Sequence, residues 1–540
     1  METTNAVQSI QDFTPSCAAS CKCKGYQDVK EDSIQTETKV QGHGPRLSKA
    51  NLFTLLSLWM ELFPREEKED RNENEIVAQT RSTGLVVVRD QRVLGLHCSG
   101  SELHAGQVAV IRHGPKLAAS ELYFSRKPCA TCLKMLINVG VSRISFWPGD
   151  PEFSLLVGGC NGMDSISQEA VLDAIASEKL KSNSRPHIGV AMQPLALSFQ
   201  QFVMETSSGC EFMGRISEDC PDLDIGDLFH RQMKQNMDTF SREFLILQEQ
   251  RHRDILATIG LENFCMEPYF SNLRQNMREL VRVLASVAAS VPLLQHGFYR
   301  KDPQPTASES VQPPGVSQET ARHCTIQARL LAYRTEDSKI GVGAVIWAEG
   351  KFGGCDGTGR LYLVGCGYNA YPVGSEYGEY PQMGNKQQDR KRRKYRYIIH
   401  AEQNALSFRS AEIREEENTM LFVTKCPCDE CIPLIQGAGV KQIYTTDLDS
   451  GKDKGDISYL RFSGLRGVLK FIWQKTSLTR CASEHAGPHL ANGCVGKHRR
   501  QAEQEPYCNK RPRSAMTEDH TPCLLNNGLG PLASSPVSPD

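Results

Sequence analysis

One histidine, one glutamate and two cysteines between residues 400 and 431 are spaced as a metal site requires. They read His400-Ala401-Glu402 and then Pro427-Cys428-Asp429-Glu430-Cys431, with the first cysteine 28 residues past the histidine (428 − 400 = 28). Imidazole nitrogen and thiolate sulfur are the preferred ligands of zinc, and three of them leave a fourth tetrahedral position for water. Two thiolates balance the dication, and such a site ionises bound water at about neutral pH. Glu402 is not needed as a ligand. It can take a proton from the water and deliver it to a leaving group. A structural site would need a fourth protein ligand, which Cys426 could supply.

The surrounding residues suit that placement. Ala401, Ala405 and Leu406 favour a helix that begins near His400, and residues 419–424 read as a buried strand. Cys428 and Cys431 would then open a helix, whose unpaired N–H groups favour thiolates. The same order occurs earlier in the chain. A helix over 51–63, capped by Asn51, and strands over 84–88 and 92–97 lead to His104-Ala105-Gly106-Gln107. Pro128-Cys129-Ala130-Thr131-Cys132 follows, and then a strand over 143–147. In the later copy a helix over 320–334 and strands over 341–348 and 360–367 precede the motif. The chain therefore carries one unit twice. The first copy keeps His104, Cys129 and Cys132 as a candidate second zinc site, but has Gly106 where the proton carrier belongs. Glycine carries no proton, so this copy is expected to be catalytically dead.

The expected organisation is a disordered tail at 1–46, a degenerate unit at 47–185, and a mostly helical connecting segment at 186–299. A Pro-rich linker at 300–318, a catalytic unit at 319–475 and a disordered basic tail at 476–540 complete it. Helices are expected over 168–180, 227–260 and 272–289, and strands within 187–203. Strands alternating with helices give an α/β fold, with a mixed β-sheet flanked by helices in each unit. The net charge of −1 says nothing about a nucleic-acid partner. The 20 cysteines suggest metal sites rather than a disulfide framework. No stretch approaches the ~20 apolar residues of a membrane span. The first residues lack the features of a secretory signal. The expectation is a soluble protein of cytoplasm and nucleus. Two basic clusters, Lys497, Arg499 and Arg500 and then Lys510, Arg511 and Arg513, are spaced like a bipartite import signal for a nuclear import receptor, with a solvated basic tail as the equal alternative. The run Arg390-Lys391-Arg392-Arg393-Lys394 reads first as a solvated loop, with phosphate binding or another import signal as the alternatives.

Further segments of the second copy carry a resemblance. Residues 332–346 resemble the A-x-R-S-K-D-P-x-x-x-V-G-A segment of deoxycytidylate (dCMP) deaminases, within the cytidine deaminase superfamily. Gly367-Tyr368-Asn369-Ala370-Tyr371-Pro372-Val373-Gly374 resembles that family's G-Y-N-G-F-P-x-G loop, Lys394 to Tyr397 its K-Y-P-Y, and His400 to Ala405 its H-A-E-x-N-A. The likeness is specific over about 320–475 and fainter in the first copy. It implies two cytidine-deaminase-like units and a Zn2+ hydrolase that converts cytosine to uracil in a nucleoside or nucleotide. His400, Cys428 and Cys431 become zinc ligands and Glu402 the proton shuttle. Asn369 would contact sugar or base, Asn404 would help to hold the substrate, and Arg334 would meet phosphate. Assembly as a homo-oligomer is also implied. Glu336, Ser338 and Gly341 depart from the family, which has Lys, Pro and often Gln there. A carboxylate in place of a lysine disfavours a monophosphate. That leaves cytidine, deoxycytidine and the triphosphate as candidates beside dCMP. The alternatives are a deaminase of DNA or RNA, disfavoured because no basic stripe interleaved with aromatics surrounds the site, and a non-catalytic zinc scaffold.

Overall fold

Gly84 and Gly343 each start a strand where a helix crosses so closely that a Cβ would run into its backbone, at Ser57 O and Ala328 O respectively. That repeated close approach fixes two copies of one arrangement. The computed structural model describes residues 46–65, 82–152, 163–293, 295–301, 315–335, 341–351, 356–375, 380–381 and 388–476. All lie in one unit, Met1–Arg480. The tails, most of the linker, Glu336, Ser338 and the clusters at Lys497–Arg500 and Lys510–Arg513 lie outside the described residues.

In chain order the first copy has helix α1 (Lys49–Glu61), strands β1 (Gly84–Arg89) and β2 (Arg92–Cys98), α2 (Ala105–His113), β3 (Glu121–Phe124), α3 (Ala130–Asn138), β4 (Arg143–Phe146), α4 (Met163–Ser182) and β5 (His187–Gly189). Helices α5 to α9 follow at Leu197–Ser208, Glu211–Asp219, Ile225–Phe244, Glu249–Thr258 and Tyr269–Ala289. The second copy has β6 (His296–Arg300), α10 (Gln318–Ala332), β7 (Gly343–Glu349), β8 (Leu361–Tyr368), α11 (Ala401–Ser407), β9 (Asn418–Val423), α12 (Cys431–Gly437), β10 (Gln442–Thr445), α13 (Leu460–Ser463) and β11 (Leu469–Lys475). No helix among the described residues is long and apolar enough to cross a membrane.

The sheets have matching topology. The first runs β2-β1-β3-β4-β5, and the second runs β8-β7-β9-β10-β11 with β6 added at the β11 edge. In both, the first strand pairs antiparallel with its two neighbours and the next pairs are parallel. Both hairpins shift register after the fourth residue of the leading strand, at Val87/Val88 and at Ile346/Trp347. The mixed sheets flanked by helices agree with the sequence reading. Several local details differ. Ser48, not Asn51, caps α1, its hydroxyl accepting from Asn51 N–H at 3.2 Å. Asn51 is instead buried and bonds both ways to the backbone of Gln193. The helix expected over 227–260 breaks between Phe244 and Glu249, where Arg274 donates to the carbonyls of Ile246 and Leu247. Of the strands expected within 187–203 only β5 forms; residues 190–196 are irregular and α5 takes the remainder from Leu197. Strand β5 falls within 186–299 and β6 begins there, yet each belongs to a sheet.

Strand alternation divides the core of the second copy. Val345 and Trp347 face a core shared with the first copy, whereas Ala344, Ile346 and Ala348 face α11 and α12. Helices α1 and α10 meet in the shared core. The Trp59 ring stacks on His323, with centroids 4.5 Å apart and planes at 10°, and its indole N–H donates to His323 O at 3.0 Å. Trp347 donates to Gln327 Oε1 at 3.0 Å, and Leu47 N–H reaches Tyr333 O at 3.0 Å. The two sheets therefore share one interior. Trp59→Ala should destabilise the protein by about 3–5 kcal/mol and shift the unfolding of both copies together. Urea unfolding followed by far-ultraviolet dichroism and tryptophan emission checks this. A separate early transition confined to one half would contradict it.

Candidate metal centre

His400 and Cys431 are brought together by two helix starts. His400 is the N-cap of α11, extended at φ −74° and ψ 157°, and its own N–H donates to Gln403 Oε1 at 2.8 Å. That bond satisfies a donor that would otherwise be orphaned at the helix end and fixes the loop that carries the imidazole. Cys428 precedes α12 and Cys431 is its first residue, with Cys431 N–H and Ile432 N–H bonded back to Cys428 O at 3.0 and 3.1 Å. The parallel pair β9 and β10 delivers this turn to the same end of the sheet.

His400 Nδ1 lies 3.2 Å from Cys428 Sγ and 3.3 Å from Cys431 Sγ. The three ligand atoms lie within 4.8 Å of one another, as bonds of about 2.0–2.3 Å to one zinc require. The donor set fits zinc. Cys426 does not join it: its thiol is buried, and burial pushes its ionisation well above the usual range. Among the described residues the site thus has three protein ligands and a fourth position for a non-protein one. The Cys431 thiol, followed by His400, draws Cys428 down to about 4. Burial opposes charge on His400, but the Cys428 thiolate outweighs it and raises the imidazole to about 9. The protein groups alone therefore hold their charge as an imidazolium and thiolate pair, and a metal would displace that proton.

Glu402 is only 4% exposed, and burial raises its carboxyl to about 7. A bound dication acts in the opposite direction. Asn404 donates to Tyr368 O at 2.7 Å, which ties α11 to the Asn369 loop. Asn369 Oδ1 accepts from Val342 N–H at 3.3 Å. Ala370 and Ile399 exchange backbone hydrogen bonds of 3.2 and 2.8 Å, so this loop runs directly beside the residue before His400. Arg334 is placed otherwise: its Nη1 donates to Leu47 O at 2.9 Å, where the second copy meets the first. The basic run is not simply solvated. Arg393, Arg390 and Arg396 lie 2.8, 3.7 and 3.9 Å from carboxylate oxygens of Asp456, whose side chain is 2% exposed. A cleft of 570 Å³ lies elsewhere, between Asp90 and Arg92 of the first copy and Tyr368, Tyr371 and Asn404 of the second; no metal-ligand residue lines it.

The first copy repeats the ligand geometry. His104 caps α2 and its N–H donates to Gln107 Oε1 at 2.9 Å, and Cys129 and Cys132 lie 3.3 and 3.6 Å from His104 Nδ1. Gly106 sits where Glu402 does. Sequence reasoning missed the paired glutamines, although His-Ala-x-Gln stands in both motifs, and it missed Asp456.

Residues 317–446 match the cytidine and deoxycytidylate deaminase zinc-binding region. The chain is 64% identical over 449 residues to the Danio rerio protein named Cytidine and dCMP deaminase domain-containing protein 1, covering 83% of this chain and 93% of that one. It is 31% identical over 149 residues to the deoxycytidylate deaminase of Homo sapiens, 27% of this chain and 75% of that one. Among solved structures, dCMP deaminase from the cyanophage S-TIM5 in complex with dCMP and dUMP aligns at 25% identity. That alignment covers 24% of this chain and 83% of the phage chain, with a TM-score of 0.19.

Gln403 orients a ligand without being one. Gln403→Ala should weaken zinc binding at the second-copy site by about 10–100-fold with the fold intact, as competition against a chromophoric chelator would measure. Unchanged affinity would show that the capping bond does not hold His400 in place.

Proposed function

The chain belongs to the cytidine and deoxycytidylate deaminase family, and from that premise we propose that its second copy hydrolyses cytosine to uracil in a nucleoside or nucleotide, releasing ammonia. The observation that carries this reading is the buried Glu402 beside a His400–Cys428–Cys431 set that offers three ligands rather than four. When bound, zinc supplies Lewis-acid activation of water. Glu402 then has two tasks. It accepts the proton of the attacking water as oxygen adds to C4 of the ring, and it passes that proton to N3. In the second half it moves a proton from the new hydroxyl to the amine, the C4–N bond breaks, and ammonia leaves. A carboxyl in a buried pocket suits both directions, because burial narrows the gap between its charged and neutral forms. The same burial keeps bulk water from competing for the transferred proton.

The preferred substrates are nucleotides, dCMP or dCTP. The backbone pairing of Ala370 with Ile399 draws the Asn369 loop, the arginine-rich segment and His400 to one place. Arg390 and Arg396 approach Asp456 only at 3.7 and 3.9 Å with side chains 61% and 52% exposed, and six Arg and Lys residues stand between 390 and 396, so the segment carries an excess of positive charge. Phosphate oxygens are suited to that excess. Arg334 bonds to Leu47 O, and this favours the arginine-rich segment over Arg334 as the phosphate ligand.

Purified protein offered cytidine, deoxycytidine and the mono- and triphosphates of each should form the corresponding uracil product from at least one. Glu402→Gln should lower that rate by about 10²–10⁴-fold while zinc content stays the same. Activity that survives the substitution would assign the proton transfer to another group. No turnover with any of the six would remove the small-molecule reading. Replacing Arg390 and Arg396 together by Ala should raise KM for the phosphorylated substrate about tenfold for each guanidinium–phosphate hydrogen bond removed, and leave KM for the nucleoside unchanged. An equal rise for both would place these arginines outside phosphate recognition.

A further inference from the structure

The first copy departs from the second at a residue outside the repeated motif. Glu152, six residues past the end of β4, turns back on the His104 cluster. Its Oε2 lies 3.2 Å from His104 Nδ1 and accepts from Cys129 N–H at 3.2 Å. Its backbone N–H donates to Lys127 O at 2.9 Å, which locks it against the turn that carries both cysteines. Ligand atoms of His104, Cys129, Cys132 and Glu152 all lie within 4.8 Å of one another, and all four residues are buried. Glu152 is 7% exposed, and its other carboxylate oxygen, Oε1, is buried with no hydrogen-bond partner. A buried carboxylate oxygen left unpartnered is strongly unfavourable. A cation held among two thiolates and an imidazole would satisfy it.

We propose that His104, Cys129, Cys132 and Glu152 bind a zinc ion as a closed, four-ligand structural site, in which the Glu152 carboxylate takes the position that water holds in the second copy. Four protein ligands are the mark of a structural zinc. Among the described residues the second copy has three, with no carboxylate in the group. Gly106 fits the same change. A Cβ there would lie 3.1 Å from both Cβ and Sγ of Cys132, closer than ordinary packing allows. The first copy lacks the proton carrier on α2 and has a carboxylate ligand from the other side. The zinc is kept for folding, and no water is activated on it. Three anionic ligands also lower the Lewis acidity of the ion. This assignment does not depend on any activity of the second copy.

The test uses the full chain and metal analysis. Wild-type protein should hold two zinc ions per chain, and Cys428→Ser should hold one that persists after treatment with a chelator. Cobalt exchanged into Cys428→Ser should show the spectrum of a four-coordinate, two-thiolate site, and added azide should leave that spectrum unchanged. Adding Glu152→Gln should speed metal loss by more than about tenfold, the floor set by removal of a mere outer-shell partner. It should also make the cobalt spectrum respond to azide. No zinc left in Cys428→Ser would overturn the proposal. So would Glu152→Gln with the retention and spectrum of its parent. If Glu152→Gln does not fold, the azide response of Cys428→Ser alone decides: a shift there means an open position and refutes the closed site.

Discussion

Burying two thiols and an imidazole against an apolar sheet end is the constraint to which the rest of the structure answers. Each ligand has to arrive on backbone that is itself satisfied, because an unpaired N–H in that interior is as unfavourable as a misplaced ligand. The fold meets this twice in the same way. The histidine ends a loop and caps a helix, with a glutamine three residues on closing over its N–H, at Gln403 and at Gln107. The second cysteine stands in the first turn of the next helix, and parallel strands bring that turn alongside. Strand order, hairpin shift and the glycine crossings at Gly84 and Gly343 are the scaffold that makes the meeting reproducible.

Within that common scaffold, what each site can do is decided by where its carboxylate stands. Glu402 projects from the helix that His400 caps and stands outside the ligand group found among the described residues, where the proposed reaction needs a proton carrier. Glu152 comes from the turn beyond the fourth strand and enters the ligand group itself. The corresponding turn of the second copy also carries acids, Asp447 and Asp449. Asp449 is engaged by Lys425 at 2.8 Å and Lys454 at 2.6 Å, and Asp447 by Arg215 at 3.4 Å. Opposite charges hold those acids away from the metal group, whereas Glu152 meets the His104 cluster directly.

Most of this was legible where chemistry and spacing coincide. The His and Cys positions that come together in each copy, and the repeated order of elements around them, follow from residue type and interval alone. Helices and strands with a clear apolar period were placed to within a few residues. The misses have a common cause in interactions distant in sequence. Nothing local ends a helix at Phe244, since no Gly or Pro stands there; the break is stabilised by Arg274, a guanidinium 30 residues on (274 − 244 = 30). Asn51 reads as a cap but is drawn inside by Gln193. Glu152 belongs to no spacing rule, because its distance from Cys132 in sequence says nothing of how the chain turns after β4.

The retained first copy has a mechanical reading as well as a chemical one. Arg126, three residues before Cys129, forms a buried ion pair with Glu61 at the end of α1. On the same helix Trp59 stacks against His323 of α10, and α10 in turn abuts β7 at Gly343. A continuous line of buried side chains therefore runs from the His104 cluster through two helices to the strand whose other face packs against α11, the helix of His400 and Glu402. In such a line each link is close-packed or fully desolvated, and such links yield little before they break. A closed zinc at the near end would fix the turn around Arg126 and so the seat of α1. With the proposed closed site in place, the first copy would brace the interior that it shares with the second, and such bracing needs a metal but no proton carrier.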